Sequence, residues 1–276
     1  MPSSSASTLA RPLDDQTCHE LHGALLEHHV LFARDQHLGP HPLRTVAMRF
    51  GEIDINPVSP KVDGYPDVTL IATKDGAAPD LWHFDASFTE TPSSMSLLSM
   101  VKCPPIGGDT LWISSYHTYE ALSDPMRDLL DGLTVAYDAQ MVGHPGHRAE
   151  HPAVRIHPET GRKCLYFDPM YAIRLVELSK DESDALLAFL RAFINDPRFA
   201  CRFRWSEGTF AMWDNRCTLH RVATDFRGAR EVIRVTITGD KPVGEDRRWP
   251  RFSPRAGSAG MMDQRNLDRS DTTKGY

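Results

Sequence analysis

Apolar residues along this chain recur at helical spacing in some stretches and form short unbroken runs in others, and the two patterns mark out its elements. Residues 14–29 carry Leu21, Leu25 and Leu26 at helical spacing and predict a helix. Val30 to Ala33 is a brief apolar run closed by the charge pair Arg34 and Asp35, which predicts a strand. Residues 40–50 predict a short helix ending at Gly51. The stretch from 53 to 121 reads mostly as strand, with apolar runs at 68–73 (VTLIAT) and 96–101 (SLLSMV). Pro104, Pro105, Gly107 and Gly108 make a sharp turn before the strand-like DTLWI. A helix is expected at about 122–132, with Ser123 as N-cap and Gly132 at its end, and residues 143–152 read as an irregular loop. The clearest helix is 180–195, where Ser179 and Glu182 form a capping box ahead of ALLAFLRAFI. GTFAMWD and REVIRVTITG follow as strands. Residues 1–12 and those from about 243 to 276 read as loose tails.

Strands therefore fall in two blocks with helices between and beside them, which is not the alternation of a doubly wound sheet. A mainly β architecture with α elements fits, a β-sandwich or jelly roll carrying helical insertions. There is no internal repeat and no clear linker, so 1–276 is expected to be one domain.

Composition narrows the function classes. A formal net charge of -6 disfavours nucleic acid as a partner, because phosphate binding wants a basic face. No apolar stretch is long enough for a membrane span. The opening MPSSSASTLARPLDD lacks the charged-then-apolar pattern of a secretion signal, which favours the cytoplasm. Cys18, Cys103, Cys164, Cys201 and Cys217 are odd in number, widely spaced and free of any CxxC, so neither a disulfide framework nor a cysteine zinc site is expected. The thirteen histidines direct attention to metal chemistry instead.

In LWHFDASF (81–88) an extended chain puts His83 and Asp85 on one face, with Trp82, Phe84 and Phe88 as apolar walls. An imidazole and a carboxylate side by side make two-thirds of the 2-His-1-carboxylate set that leaves open positions on non-haem iron. His220, in WDNRCTLH, is the best candidate for the third ligand. H-x-D alone is weak: it occurs often by chance and usually means a surface or hydrogen-bonded pair. In REVIRVTI an extended chain aligns Arg230, Val232, Arg234 and Thr236. Two arginines facing inward are costly unless they meet anions, and the arginine fork suits carboxylates. The competing reading is an exposed edge strand.

Read together, VLFARDQ (30–36), RFGE (49–52), WHFDASFTETP (82–92), GGDTLW (107–112), WDNRCTLH (213–220) and RVTITGDKP (234–242) resemble, in this order, the taurine dioxygenase (TauD/TfdA) family of Fe(II)- and 2-oxoglutarate-dependent oxygenases. The resemblance implies a double-stranded β-helix, or jelly roll, with flanking helices and a lid insertion. It implies His83, Asp85 and His220 as iron ligands, Arg230 and Thr110 as the 2-oxoglutarate contacts, and Arg234 as the grip on an anionic substrate. Asn56 and Ser59 stand where taurine-specific members carry a histidine and a tyrosine, Pro79 falls near an asparagine position, and Tyr171 keeps an aromatic wall. The lid after Asp138 is shortened, with Gly143 where an aromatic is expected, which points away from taurine. The implied reaction hydroxylates a C–H bond of a small organic acid (sulfonate, sulfate ester, aryloxyalkanoate or amino-acid-like), consuming O2 and yielding succinate and CO2. The family resemblance also implies a homo-oligomer, dimer or tetramer.

Two other readings stand beside this one. A His/Asp/His set can hold zinc for hydrolysis, although no HExxH-type base accompanies it. A non-catalytic small-molecule-binding protein on the same fold is the other. His117, His144, His147, His151 and His157 are expected in loop or surface roles, with His144 or His147 able to reach substrate from a lid. Cys217 is expected to pack as a small apolar residue, and Trp213 and Asp214 to support their strand.

Overall fold

The computed structural model describes residues 9–55, 59–78, 80–140, 143 and 146–254. Its largest sheet is antiparallel and is built around the longest apolar strands. Strands β1 (Val30–Ala33), β13 (Phe210–Asp214), β5 (Met95–Lys102), β15 (Ala229–Ile237), β4 (Tyr65–Lys74) and β3 (Lys61–Val62) lie in that order, and β2 (Ile53–Asp54) also pairs with β15. Three smaller antiparallel sheets complete the β structure. One orders β12 (Ala200–Phe203), β6 (Thr110–Ser114) and β14 (Thr218–Val222); another orders β11 (Ala172–Leu175), β7 (Thr134–Asp138) and β8 (Arg148–Pro152); the last pairs β10 (Lys163–Leu165) with β9 (Val154–Ile156).

The position of β15 decides the question its two arginines raised. It is hydrogen-bonded to β5 on one side and β4 on the other, so it is no edge strand. Its alternation separates two environments. Ile233, Val235 and Ile237 pack in a core with Leu25, Leu43 and Val46 of α1 (Asp15–His28) and α2 (Pro40–Ala47). Arg230, Val232 and Arg234 face a cavity on the other side. Across that cavity stand Thr110, Trp112, His220 and Val222 from β6 and β14.

The predicted helices follow their capping chemistry. Asp14 accepts from Thr17 N at 2.7 Å to start α1, which stops where His29 turns left-handed. Ser179 and Glu182 close a reciprocal capping box on α5 (Lys180–Ile194). Ser123 caps α4 (Asp124–Asp131) by position alone, without a side-chain hydrogen bond.

Two stretches depart from expectation. Residues 115–120 form α3 (Ser115–Glu120) rather than strand, burying Tyr116 and Tyr119 at helical spacing. Arg148–Pro152 forms β8 rather than loop; its buried positions are Ala149 and His151, so the inward face shows no apolar alternation in the sequence. Residues 243–254 contain neither helix nor strand, yet Val243 O accepts from Ile156 N and Phe252 N donates to Val176 O.

Candidate active site

His83 and His220 meet as an antiparallel bridge pair, each backbone N–H donating to the other's carbonyl at 3.1 and 3.0 Å. Their rings stand 4.2 Å apart between centroids. Asp85 completes the group: one ligand atom from each of the three lies within 4.8 Å of the others. The extended geometry ends at His83, and the chain turns from Asp85 onward, so Phe84 and Phe88 reach the cavity while Trp82 does not. The Trp82 indole donates instead to Asn195 Oδ1 at 3.1 Å.

The protonation states suit a divalent cation. Burial, then His83, drives the His220 imidazole down to about 3, so it is neutral at physiological pH with a lone pair to offer. Burial would raise Asp85, but Arg234 foremost, with His220, His83 and the Ser96 hydroxyl, outweighs it and holds the carboxyl below its usual range. The His83 Nδ1–H points at Leu81 O, 2.8 Å away, which leaves Nε2 as the donor to a metal.

Asp85 is held from every side. Asn215 Oδ1 accepts from its N–H at 2.9 Å while Asn215 Nδ2 donates to its carbonyl at 3.0 Å and to Ser93 O at 2.7 Å. Its side chain accepts from Ser96 Oγ at 2.7 Å and from Arg234 Nη1 at 2.6 Å. Ala86 follows with φ of +62°, a left-handed conformation that a non-glycine residue keeps only when its surroundings impose it. Asp168 imposes part of that turn, accepting from Phe84 N at 3.0 Å and Ser87 Oγ at 2.7 Å.

The second half of the cavity is cationic. Arg230 is 2% exposed, and no carboxylate among the described residues lies within ion-pair reach of it. Nε donates to Gly108 O at 3.0 Å and Nη2 to Thr110 Oγ1 at 3.3 Å. Burial pushes the guanidinium down to about 10, so it remains charged at neutral pH. A buried unpaired cation is costly unless an anion meets it. Gly108 takes φ of +69°, and a Cβ there would stand 2.9 Å from Pro104 and 3.3 Å from Arg230.

The cavity, of about 300 Å3, thus holds His83, Asp85 and His220 together with Thr110, Arg230 and Arg234. Ser59 and Tyr171 also line it, and Tyr171 packs edge-on against Phe88 at 4.9 Å. Trp213 is a wall of the cavity as well as a strand residue, its ring 4.9 Å from that of His220. Asn56, Pro79 and His144 lie outside the described residues. Gly143 is exposed. His147 is exposed too, with its ring 6.2 Å from Phe88.

A second buried group, His157, Asp214 and Cys217, also brings ligand-type atoms within 4.8 Å. It is already satisfied. Arg216 and His157 Nε2 occupy Asp214, and His157 Nδ1 accepts from Glu159 N and Thr160 N. Burial raises the Cys217 thiol well above its ordinary value, far from the thiolate a metal needs. His157 and His151 are therefore buried structural residues, not loop or surface ones. Each spends a ring nitrogen on an internal partner, Asp214 for one and Thr89 O for the other.

The model of the family described as "Taurine catabolism dioxygenase TauD, TfdA family" matches residues 4–236. The chain belongs to the TauD/TfdA family. It is 31% identical to the alpha-ketoglutarate-dependent sulfate ester dioxygenase of Pseudomonas putida over 88% of each chain. A taurine dioxygenase structure from Burkholderia xenovorans superposes with a TM-score of 0.80 at 35% identity, covering 92% of this chain and 91% of the other. The structure of AAD-2 in complex with Mn(II) and N-oxalylglycine gives 0.74 at 26% identity, covering 86% of this chain and 93% of that one. Like its TauD/TfdA relatives, this chain is an Fe(II)- and 2-oxoglutarate-dependent dioxygenase.

Several residues of this TauD/TfdA site escaped the sequence reading. Asn215 sat in the quoted WDNR segment without a role. Asp168 carried a signal, a lone carboxylate in the apolar run CLYFDPMY. Ser96 carried none, since a serine in a strand is ordinary.

Proposed function

We propose that the protein hydroxylates a C–H bond of a small organic anion, with His83, Asp85 and His220 holding Fe(II), Arg230 and Thr110 receiving the distal carboxylate of 2-oxoglutarate, and Arg234, Ser59, Tyr171 and Asn56 contacting the substrate. One observation carries this reading: a buried guanidinium with no carboxylate partner among the described residues opens on the same cavity as the His/Asp/His group. A zinc hydrolase has no use for that cation, whereas a dicarboxylate cosubstrate does. When bound, the iron and 2-oxoglutarate supply the oxidising chemistry, consuming O2 and releasing succinate and CO2.

The chain's own residues position and shield. Arg230 anchors one end of the cosubstrate, which orients the other toward the metal ligands. Arg234 spends Nη1 on Asp85, and its guanidinium lines the cavity, where its remaining N–H groups meet a sulfonate, sulfate or carboxylate oxygen. Ile71, Leu98, Val222 and Val232 wall the cavity and exclude water from the reacting carbon. The names of the relatives favour sulfate esters and sulfonates, and aryloxyalkanoates and amino-acid-like acids are the other anionic classes of this proposal.

The same reading extends to the rest of the molecule. The sheet of β1, β13, β5, β15 and β4 facing that of β12, β6 and β14 forms a jelly roll, and 1–276 works as one catalytic domain; the lid expected after Asp138 falls partly outside the described residues. A net charge of -6 supports an enzyme without nucleic-acid partners, and no helix among the described residues is long and apolar enough to cross a membrane. We place it in the cytoplasm as a dimer or tetramer, as the family resemblance implies. Succinate release, measured across a panel of alkyl sulfates, sulfonates, aryloxyalkanoates and N-substituted amino acids, tests the reading. Substrate-stimulated release with one anionic class supports it; no stimulation by any anionic class contradicts it.

A further inference from the structure

Trp205 lies between β12 and β13, 5% exposed, in an aromatic cluster. Its indole packs edge-on against Phe203 at 5.1 Å and Phe32 at 6.3 Å, and tilted against Trp112 at 6.1 Å, so its orientation is fixed by packing. From that position Nε1 donates to Thr110 Oγ1 at 2.9 Å. Arg230 Nη2 donates to the same oxygen at 3.3 Å.

A threonine hydroxyl has two acceptor positions and one proton. Both acceptor positions of Thr110 are filled by these donors, and no described residue accepts its O–H. The remaining direction is the cavity that Thr110 lines. We propose that Trp205 is a positioning residue for the cosubstrate, forcing the Thr110 hydroxyl to act as a donor toward the carboxylate of 2-oxoglutarate. Without the indole N–H, the hydroxyl is free to rotate and spend its proton elsewhere. With it, the indole, hydroxyl and carboxylate form a chain in which each bond polarises the next. The proposal rests on the assignment of Thr110 to 2-oxoglutarate made above.

The test is the affinity of the Mn(II)-loaded protein for 2-oxoglutarate, measured by calorimetry in wild type, Trp205→Phe, Thr110→Val and the double variant. Trp205→Phe is expected to raise the dissociation constant about tenfold, as loss of a hydrogen bond to a charged ligand does. It should raise it no further when Thr110 is already valine, and should leave Mn(II) affinity unchanged. An equal loss in both backgrounds would mean a merely structural tryptophan and overturns the proposal, as does no loss with Thr110 intact. If Thr110→Val itself leaves 2-oxoglutarate affinity unchanged, the cosubstrate assignment fails and takes this proposal with it. A second measurement survives misfolding of Trp205→Phe. In the Zn(II)-loaded protein, the indole N–H resonance assigned to Trp205 should move when 2-oxoglutarate is added to wild type and stay in place in Thr110→Val. The same movement in both proteins, or none in either, overturns the proposal.

Discussion

Arg234 donates from Nη1 to Asp85 Oδ1 at 2.6 Å, so the arginine expected to grip the substrate is already bound to an expected metal ligand. Its side chain is 16% exposed and that of Asp85 is 9% exposed, so the pair is largely shielded from solvent. Arg234 therefore braces Asp85 with one nitrogen, and in the proposed function the rest of its guanidinium meets the substrate.

This dual role changes what its removal does. Arg234→Ala should weaken substrate binding by about 2–5 kcal/mol, as removal of one partner of a buried charge pair does. It also leaves Asp85 buried and unpaired until a cation binds, so the metal-free protein should melt lower while Fe(II) binds at least as tightly as in wild type. Arg234→Lys should recover part of the stability and less of the substrate affinity, because a lysine has no fork. Substrate KM and the melting temperature of the metal-free protein, measured on the same preparations, separate the roles; an unchanged melting temperature in Arg234→Ala would show that the contact with Asp85 is no brace.

Arg230 offers a separation of stability from function. Arg230→Met removes a buried cation that has no carboxylate partner among the described residues, so the metal-free protein should melt at the same temperature or higher. Its affinity for 2-oxoglutarate should fall about a hundredfold or more. A lower melting temperature with unchanged 2-oxoglutarate binding would reverse the assignment.

Asn215 ties three backbone groups, Asp85 N, Asp85 O and Ser93 O. Asn215→Ala strands them, at a cost of about 1–3 kcal/mol for each one that water cannot reach. The melting temperature should drop by roughly 5–10 °C, and Fe(II) affinity should fall because Asp85 loses its anchor. A drop in stability with iron affinity intact would limit Asn215 to a structural role.

His151 predicts a pH effect away from the metal. Burial drives it down to about 4, although the Thr89 carbonyl opposes the shift. Between that value and the usual histidine value of about 6.5, the unfolded chain takes a proton that the folded chain refuses, so stability rises with pH across this window. The contribution is whole above about pH 6.5 and is lost as pH falls toward about 4, amounting to roughly 3 kcal/mol. His151→Gln should therefore show a smaller fall in melting temperature from about pH 6.5 to about pH 4.5 than wild type. An equal fall would mean that His151 does not titrate as its burial requires.

Much of this was readable in the chain because the strands that build the cavity carry their chemistry at period two. Arg230, Val232 and Arg234 alternate onto one face, and the neighbours of β15 turn that face inward. His83 and Asp85 were legible as a pair, but their closeness to His220 depends on a bridge across 137 residues of sequence, so His220 stood only as a candidate until the family resemblance implied the full set. β8 was hidden because a buried histidine occupies an inward position, and α3 because its buried faces are tyrosines and small polar residues. The supporting shell of Asn215, Ser96, Asp168 and Trp205 acts through backbone atoms and other side chains, and such contacts leave no periodic mark.

The most direct measurement is an anaerobic titration of the Fe(II)-loaded protein with 2-oxoglutarate, followed by visible absorption. Wild type should develop a saturable metal-to-ligand charge-transfer band, and His83→Ala, Asp85→Ala and His220→Ala should each lose it, with Arg230→Met requiring far more 2-oxoglutarate to reach it. No band in wild type, or an undiminished band in the ligand variants, would contradict an iron centre at His83, Asp85 and His220.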